Sequence, residues 1–365
     1  MVPIAWRNLF EDRLRLAISV GGVALSIMLV LLLNGFLTGM NQQITAYIDN
    51  TPADYYVSQK GVANLQGAGS IITRSNLQKV ESVEGVRAVM PVFTQYVIVE
   101  IHRKKVTAFL LGYEPERGGG PWQIAEGRAV NDGDEMVIDR VLAKRHGLKL
   151  GEELEVLGKR FRIVGLSKGT ASWMVSMLFT THEAATALLR AQGTTSYILV
   201  DGDGDSRVGE RLKAALGETN VVTRATIAAN DLKFLAGVFS TPLRMMVLIA
   251  VGIGALLVGL TIYSATVERA REYGVVKAIG MRNRRLYGIV VRQALGAAGL
   301  GFAAGVLLVW LVAAGIQQTW PQFLIVVDLT SIFQAAAGAV AMALVASLVP
   351  ARYVANIDPA RIYRK

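Results

Sequence analysis

Four long apolar stretches constrain this chain more than any other feature of its sequence. They cover residues 17–38, 243–267, 290–315 and 330–350, and none of them has a charge at its centre. Each is long enough to cross the roughly 30 Å hydrocarbon core of a bilayer as an α-helix. A polar segment of mixed charge, residues 41–241, separates the first stretch from the other three. The pattern predicts an integral membrane protein with one large soluble domain between its first and second membrane helices.

The distribution of charge predicts which side of the membrane that domain occupies. The three short segments on one side of the predicted spans hold fourteen basic and five acidic residues, whereas residues 41–241 hold 23 basic and 22 acidic. Short loops rich in lysine and arginine stay in the cytoplasm. We therefore expect both termini in the cytoplasm and residues 41–241 outside it. The net charge of +10 then reflects membrane topology and not a nucleic-acid-binding face.

The expected segments follow from these spans and charges. They are a cytoplasmic amphipathic helix at 1–16, membrane helices at 17–40, 242–267, 286–316 and 329–353, an extracytoplasmic α+β domain at 41–241, a cytoplasmic coupling loop at 268–285, a short outer loop at 317–328 and a cytoplasmic tail at 354–365. Within the soluble domain, regularly spaced glycines over 147–165 indicate a small barrel-like β unit. An alternating apolar run at 172–178 favours a buried strand over an adaptable binding surface, which its methionines and tryptophan would also suit. A helical pattern at 227–239 leads directly into the second span.

The loop between the second and third spans is the most specific local feature. Anchoring on the cytoplasmic side explains its arginines, but it explains neither Glu268 and Glu272 nor the apolar side chains that precede Gly280. A short amphipathic helix that docks into a groove of a cytoplasmic partner explains both. The candidate site residues are Glu268, Arg269, Arg271, Glu272, Gly274, Val275, Lys277, Ala278, Ile279 and Gly280.

Motifs for chemistry are missing from the sequence. It contains no cysteine and only three histidines, which are far apart, so we expect no metal site. No G-x-x-x-x-G-K-[ST] phosphate-binding loop occurs, and no nucleophile, base and oxyanion donor are grouped. The Asp-rich run at 201–205 lacks the glycine and the glutamate of a calcium loop, which favours a solvated turn. We therefore expect no catalytic, cofactor-binding or metal-ligating residue, which disfavours a membrane-anchored enzyme or receptor.

The coupling loop resembles the E-R-x-x-E-x-G-x-x-[KR]-A-x-G signature of ABC-transporter permeases of the MacB/FtsX type. Residues 5–9 resemble the W-[RK]-N-L opening of that family, and residues 350–360 are similar to its P-x-x-x-A-x-x-x-D-P ending, with departures at Val354-Ala355 and at 362–364. Pieces of 126–165 resemble its extracytoplasmic domain. The signature matches here at Glu268, Arg269, Glu272, Gly274, Lys277, Ala278 and Gly280.

This resemblance implies a non-catalytic membrane subunit in a bacterial inner membrane, with four transmembrane helices (1+3) and an extracytoplasmic α+β domain of two subdomains. It implies a second permease copy and a cytoplasmic ABC ATPase subunit dimer that binds ATP and magnesium. The expected function is mechanotransmission for export or extraction of an amphiphilic substrate such as lipid, lipoprotein, peptide or drug. The alternative is an FtsX-like regulator that activates an extracytoplasmic hydrolase without carrying cargo. Membrane lipids and a periplasmic adaptor or hydrolase are the other expected partners, and nucleic acid is not.

Overall fold

A computed structural model describes residues 13–172 and 174–356. The helices are α1 (Arg13–Asn50), α2 (Ser75–Glu81), α3 (Arg140–His146), α4 (His182–Leu188), α5 (Val208–Leu216), α6 (Arg224–Asp231), α7 (Gly237–Glu268), α8 (Ala270–Ala278), α9 (Asn283–Thr319) and α10 (Leu329–Ala355), and a π-helical turn (Leu232–Ala236) joins α6 to α7. The strands are β1 (Tyr55–Gln59), β2 (Ile72–Thr73), β3 (Val86–Ile101), β4 (Lys104–Tyr113), β5 (Ile124–Gly127), β6 (Glu135–Asp139), β7 (Glu153–Val156), β8 (Lys159–Ser167), β9 (Ser176–Thr181), β10 (Thr194–Thr195), β11 (Tyr197–Gly202) and β12 (Thr219–Thr223).

These elements form two compact units. The helical unit contains the described residues up to Thr38, Ser240–Trp320 and the described residues from Ile325 onward. The outer unit contains Gly39–Phe239 together with Pro321–Leu324. The one-plus-three arrangement of membrane helices around an α+β domain, predicted from the sequence, is confirmed.

Within the described residues, four helices are long and apolar enough to cross a membrane: Leu16–Asn50, Gly237–Glu268, Asn283–Thr319 and Leu329–Ala355. Their ends differ from the sequence boundaries. The first helix continues beyond residue 40 to Asn50. It ends there because Pro52 disfavours the helical conformation of the residue that precedes it. Of the predicted terminal segments, residues 1–12 and 357–365 lie outside the described part of the chain.

Small residues let the membrane helices approach closely. Gly301 and Gly305 of α9 are buried, and a Cβ atom added at Gly301 would lie 2.4 Å from the Cβ of Val23 in α1. At Gly254 in α7, an added Cβ would lie 2.5 Å from Ser26 Oγ. Such close approach is how helices associate in lipid, where apolar side chains gain little by leaving the solvent.

A closed β-barrel forms one subdomain of the outer unit. Its strands follow the order β3-β4-β9-β6-β8-β7, and β7 returns to β3 through the pair Val99 and Val156. The interior is filled by large apolar side chains, among them Phe161, Ile163 and Leu178. Closure removes the free strand edges that would otherwise pair with other chains. The β7–β8 hairpin lies in the glycine-spaced region that predicted a barrel-like unit.

The second subdomain is a four-stranded antiparallel sheet in the order β12-β1-β11-β3, so β3 belongs to both subdomains. On one face, α2 and α5 pack through a cluster that includes Leu77, Val80 and Leu212. On the other face, the end of α1 and helix α6 contribute Ile48 and Ile227 to a second cluster. The sheet is therefore enclosed between two helical layers.

The predicted strand at 172–178 is wrong in its first half. Ser172 closes a tight turn, since its N–H donates to the carbonyl of Val175 at 2.7 Å and its Oγ accepts from the N–H of Val175 at 3.1 Å. The strand begins only at Ser176, and Met174 is exposed. The serine side chain competes with the sheet for backbone hydrogen bonds, which the apolar alternation did not reveal.

Candidate functional site

The coupling loop contains a short helix, α8, with a well-formed end. Gly280 has φ +99°, a left-handed conformation that favours glycine. Its N–H donates to the carbonyl of Lys277 at 3.0 Å, and the N–H of Met281 donates to the carbonyl of Val276 at 3.2 Å. This pair of bonds is a Schellman motif, which satisfies the last carbonyls of the helix. Gly280 therefore ends α8 and turns the chain toward α9.

One face of α8 packs on the other helices of its unit. Tyr273 is only 6% exposed and shares an apolar cluster with Leu286 of α9 and Val354 of α10. Gly274 is buried beside it, and Val276 packs against the same cluster. These contacts hold α8 at the point where α9 begins and α10 ends.

Lys277 ties α8 to the end of α10. Its Nζ donates to the carbonyl oxygen of Ala355, the last residue of α10, at 2.5 Å. A lysine at a helix C-terminus satisfies a free carbonyl and complements the negative end of the helix dipole. The lysine of the signature therefore has a positioning contact inside the subunit.

The opposite face of α8 is exposed and mixed in character. Arg271, Glu272 and Ala278 are exposed, and Ile279 is 81% exposed. Val275 is partly exposed, so Arg271, Val275 and Ile279 follow one another at intervals of four residues. An exposed apolar side chain between charges is typical of a helix that docks into a groove.

The structure divides the predicted site residues between these two faces. Glu268 is the last residue of α7, and Arg269 is the N-cap residue of α8, with its guanidinium 4.0 Å from the Glu272 carboxylate. Gly274 and Lys277 face the bundle, whereas Arg271 and Ile279 face outward. Sequence reasoning missed Tyr273, the buried anchor of α8. Its signal was an aromatic ring next to Gly274 within an otherwise charged turn.

In the outer unit, some carboxyl groups have shifted pKa values, but the hydrogen bonds that they make are structural. Glu135 is buried, and hydrogen bonds from Arg128 are the main cause that lowers its pKa to about 2. Burial raises the pKa of Asp139, whose carboxylate caps α3 and accepts from Thr170 Oγ1 at 2.6 Å. Within residues 13–172 and 174–356, no group of three or more histidines and carboxylates is placed to hold a metal ion.

Two family profiles match the chain. Residues 16–215 match the MacB-like periplasmic core domain, and residues 244–359 match the FtsX-like permease C-terminal domain. The chain therefore belongs to the MacB/FtsX family of ABC transporter permeases. Members of this family are membrane subunits, and the family implies a cytoplasmic ATPase partner and dimerisation.

The chain is similar to several individual proteins. An uncharacterized ABC transporter permease of Mycobacterium bovis is 28% identical over 364 residues, which cover 99% of this chain and 98% of that protein. The macrolide export ATP-binding/permease protein MacB of Nitrosomonas europaea is 24% identical, and the match covers 98% of this chain but 58% of the relative. The crystal structure of the periplasmic region of MacB from Actinobacillus actinomycetemcomitans matches 52% of this chain and 97% of its own at 16% identity, with a TM-score of 0.39.

Proposed function

We propose that this chain is the permease subunit of an ABC transporter and that it transmits force from a separate cytoplasmic ATPase to its extracytoplasmic domain. In this proposal, α8 docks into a groove of the ATPase. ATP and magnesium bind to the ATPase and not to this chain. The outer domain responds by changing shape, and the cargo is an amphiphilic molecule such as a lipid, lipoprotein, peptide or drug.

The two faces of α8 are the observation that carries this proposal. Tyr273 and Lys277 fix the helix to its own subunit, and the side chains of Arg271 and Ile279 are exposed and can contact a partner. A helix that transmits displacement between subunits needs both a fixed face and an exposed face, because a docking helix that is not fixed in its own subunit cannot pass the displacement on. Full burial of an isoleucine contributes about 1.5–3 kcal/mol, enough for one such side chain to anchor a docked helix.

The names of two relatives support export as the direction of transport. Both are named ATP-binding/permease proteins for the export of pyoverdine and of macrolides, and the matches cover 58% of each. The present sequence contains no phosphate-binding loop, so in this proposal the nucleotide binds to the ATPase. The excess of lysine and arginine at 268–292 supports a cytoplasmic position for α8.

The proposal is tested by placing a carboxylate on the outward face of α8. We expect Ile279→Glu to lower the affinity for the ATPase about tenfold or more, because the apolar contact is lost and a charge is buried in its place. Co-purification with its cognate cytoplasmic ATPase and stimulation of ATP hydrolysis in liposomes measure the effect. Since Ile279 is exposed, the permease itself should fold normally.

Leu329→Glu provides the matched control. Leu329 is an exposed apolar residue in the first turn of α10, at the opposite end of that helix from Ala355. It should leave ATPase binding and stimulation unchanged. Normal binding and stimulation in Ile279→Glu would show that α8 is not the docking element.

A further inference from the structure

The loop formed by residues 62–68, between β1 and β2, joins the two helical segments of the outer unit that continue into membrane spans. On one side it contacts the end of α1, and on the other it contacts the end of α6 and the π-helical turn that leads to α7. Neither α8 nor the family signature involves this loop. Its contacts are numerous, short and largely buried.

Gln66 is the centre of these contacts. Its side-chain Nε2 donates to the carbonyl of Ile44 in α1 at 2.9 Å. Its backbone N–H donates to Asp231 Oδ1 at the end of α6 at 3.2 Å, and its carbonyl accepts from the Tyr96 hydroxyl of β3 at 3.0 Å. One buried residue therefore bonds to α1, to α6 and to the strand shared by both subdomains.

Asp231 holds the loop from the other side. Its Oδ1 accepts from the N–H of Leu65 at 2.9 Å as well as from that of Gln66, and its side chain is fully buried. Its Oδ2 is buried without a hydrogen-bond partner among the described residues. Asn230 adds a bond from its Nδ2 to the carbonyl of Ala63 at 2.8 Å. Two consecutive residues of α6 therefore form hydrogen bonds with this one loop.

Asp231 lies directly before the irregular turn that leads into α7, so its hydrogen bonds connect the loop to a helix that enters the membrane. The π-helical turn Leu232–Ala236 follows it directly, and α7 begins at Gly237. A π turn interrupts the regular α-helical bonding and is often found at functional sites. Phe234 of the turn lies against the loop, since a Cβ atom added at Gly67 would be 3.0 Å from its Cδ1. The loop therefore contacts the irregular turn as well as the helix before it.

From this geometry we propose that Gln66 and Asp231 are positioning residues, which lock α1 and α6 to each other through the 62–68 loop so that both helices move as one body. This inference deepens the proposed function, on which its meaning for transport rests. A displacement that reaches either helix from the membrane would pass to the other helix, and through Tyr96 and Tyr197 to the sheet. Tyr197 serves the second route, because its hydroxyl donates to the carbonyl of Asn64 at 2.8 Å.

The lock is tested by distance measurements in the full-length permease in nanodiscs. The chain has no cysteine, so single cysteines at Gln42 in α1 and Ala229 in α6, both exposed, can carry nitroxide labels without background. Gln66→Met keeps the side-chain length and removes the amide that donates to Ile44. We expect it to broaden the label-to-label distance distribution about twofold, because local opening becomes accessible.

Asp231 is tested by the amide exchange of the loop. Asp231→Ala should speed hydrogen exchange of the Leu65 and Gln66 amides about tenfold, the loss expected when a buried hydrogen bond is removed. Asp231→Asn keeps an acceptor at Oδ1 and should preserve both the slow exchange and the narrow distance distribution. If Asp231→Ala fails to fold, Gln66→Met and Asp231→Asn still decide the question.

Asn220→Ala is the matched control. It removes a bond of the same kind, from the Nδ2 of Asn220 to the carbonyl of Val62 at 2.7 Å, but this bond joins the loop to β12 and not to a membrane-entering helix. We expect the control to leave the distance distribution narrow. Equal broadening in Asn220→Ala, or none in Gln66→Met, would overturn the proposal.

A second arm separates this inference from the proposed function. In the complex with the ATPase, adding ATP and vanadate should leave the distance between residues 42 and 229 unchanged in the wild type and should shift it in Gln66→Met. A merely structural role of Gln66 would broaden both states equally. A nucleotide-dependent shift in the wild type would overturn the lock. The first arm needs no ATPase, so its result stands whether or not α8 proves to be the docking helix.

Discussion

The helical unit and the outer unit differ in the size of the residues that they bury. In the helical unit the buried positions of α9 and α10 are mostly small, such as Ala294, Gly301 and Ala339, while large side chains such as Leu256 and Phe333 are exposed. In the outer unit the largest side chains, among them Phe161 and Phe179, are fully buried. Exposed large apolar side chains are more frequent in the helical unit than in the outer unit.

This contrast follows from the solvent of each unit. Water drives large apolar side chains into a core, and each contributes about 1.5–3 kcal/mol when fully buried. Lipid tails offer no such driving force between helices, which instead associate through close backbone approach and shape complementarity. The same substitution should therefore have different effects in the two units. Large-to-small changes should be costly in the outer unit, and small-to-large changes should be costly in the helical unit.

The largest effect is expected from Phe179→Ala in the outer unit. Phe179 is fully buried in β9 and meets the ring of Tyr113 edge-on, with the ring centroids 6.5 Å apart. We expect the free energy of unfolding to fall by about 3–5 kcal/mol, because the transfer energy of the ring is lost and a cavity is left behind. Hydrogen exchange of the slowest amides of β4 and β9 in the solubilised full chain measures it.

Phe333→Ala is the control for that loss. Phe333 is the same residue type on α10 but is 73% exposed. It should change the stability of the helical unit by less than about 1 kcal/mol, because lipid replaces the ring. Equal losses at both positions would remove the distinction between the two units.

The second prediction concerns the buried carboxyl of Asp231. Burial is the main cause that raises its pKa from the usual 3.8 to about 6, and the N–H groups of Gln66 and Leu65 offset this only in part. The ionisable side chains facing it are the phenols of Tyr56, Tyr96 and Tyr197, all neutral near pH 7. The pKa of Asp231 is higher in the folded chain than in the unfolded chain, so the protonated carboxyl stabilises the fold. This contribution to the free energy of unfolding is complete below pH 3.8 and is lost as the pH rises through about 6.

Asp231→Asn isolates this contribution. Relative to the asparagine variant, the wild-type outer unit should gain about 3 kcal/mol when the pH falls from 8 to below 4. His182 acts in the opposite direction, because burial lowers its pKa from the usual 6.5 to about 4. Its contribution to the free energy of unfolding is complete above pH 6.5 and is lost as the pH falls through about 4. The wild-type profile should therefore be flatter than that of Asp231→Asn or His182→Gln. Parallel profiles for the wild type and Asp231→Asn would contradict the assignment.

The large-scale features of this molecule follow from its sequence because they depend on long periodic patterns. Continuous apolar stretches of more than twenty residues leave few alternatives to membrane helices, and the glycine spacing over 147–165 indicated tight β turns. The part of the site that was predicted, α8, is a local feature with an amphipathic pattern. Its end at Gly280 follows from glycine at the left-handed position.

What the sequence did not reveal depends on contacts between distant residues. That Lys277 bonds to Ala355, and that Val276 packs inward while Ile279 stays exposed, is decided by where α10 ends. The closure of the barrel through Val99 and Val156 and the bond from Gln66 to Ile44 likewise join segments far apart in the chain. Local patterns carry no information on such pairs, and a lone aspartate such as Asp231 looks like any surface residue until its burial is known.

The smallest of these effects, Gly301→Ala, tests the helical side of the comparison. A Cβ atom at residue 301 would lie 2.4 Å from the Cβ of Val23 and 3.0 Å from the carbonyl oxygen of Val20, so α1 and α9 would have to separate. Neither atom belongs to the flexible end of a side chain, and overpacking of this kind costs about 1–3 kcal/mol. Gly299→Ala on the same helix has no atom within 4 Å of the added Cβ and should be neutral or slightly stabilising. Thermal unfolding in nanodiscs compares the two variants. Equal stability would mean that α1 and α9 do not depend on close packing at this glycine, and the small-residue rule drawn for the helical unit would then fail at its tightest contact.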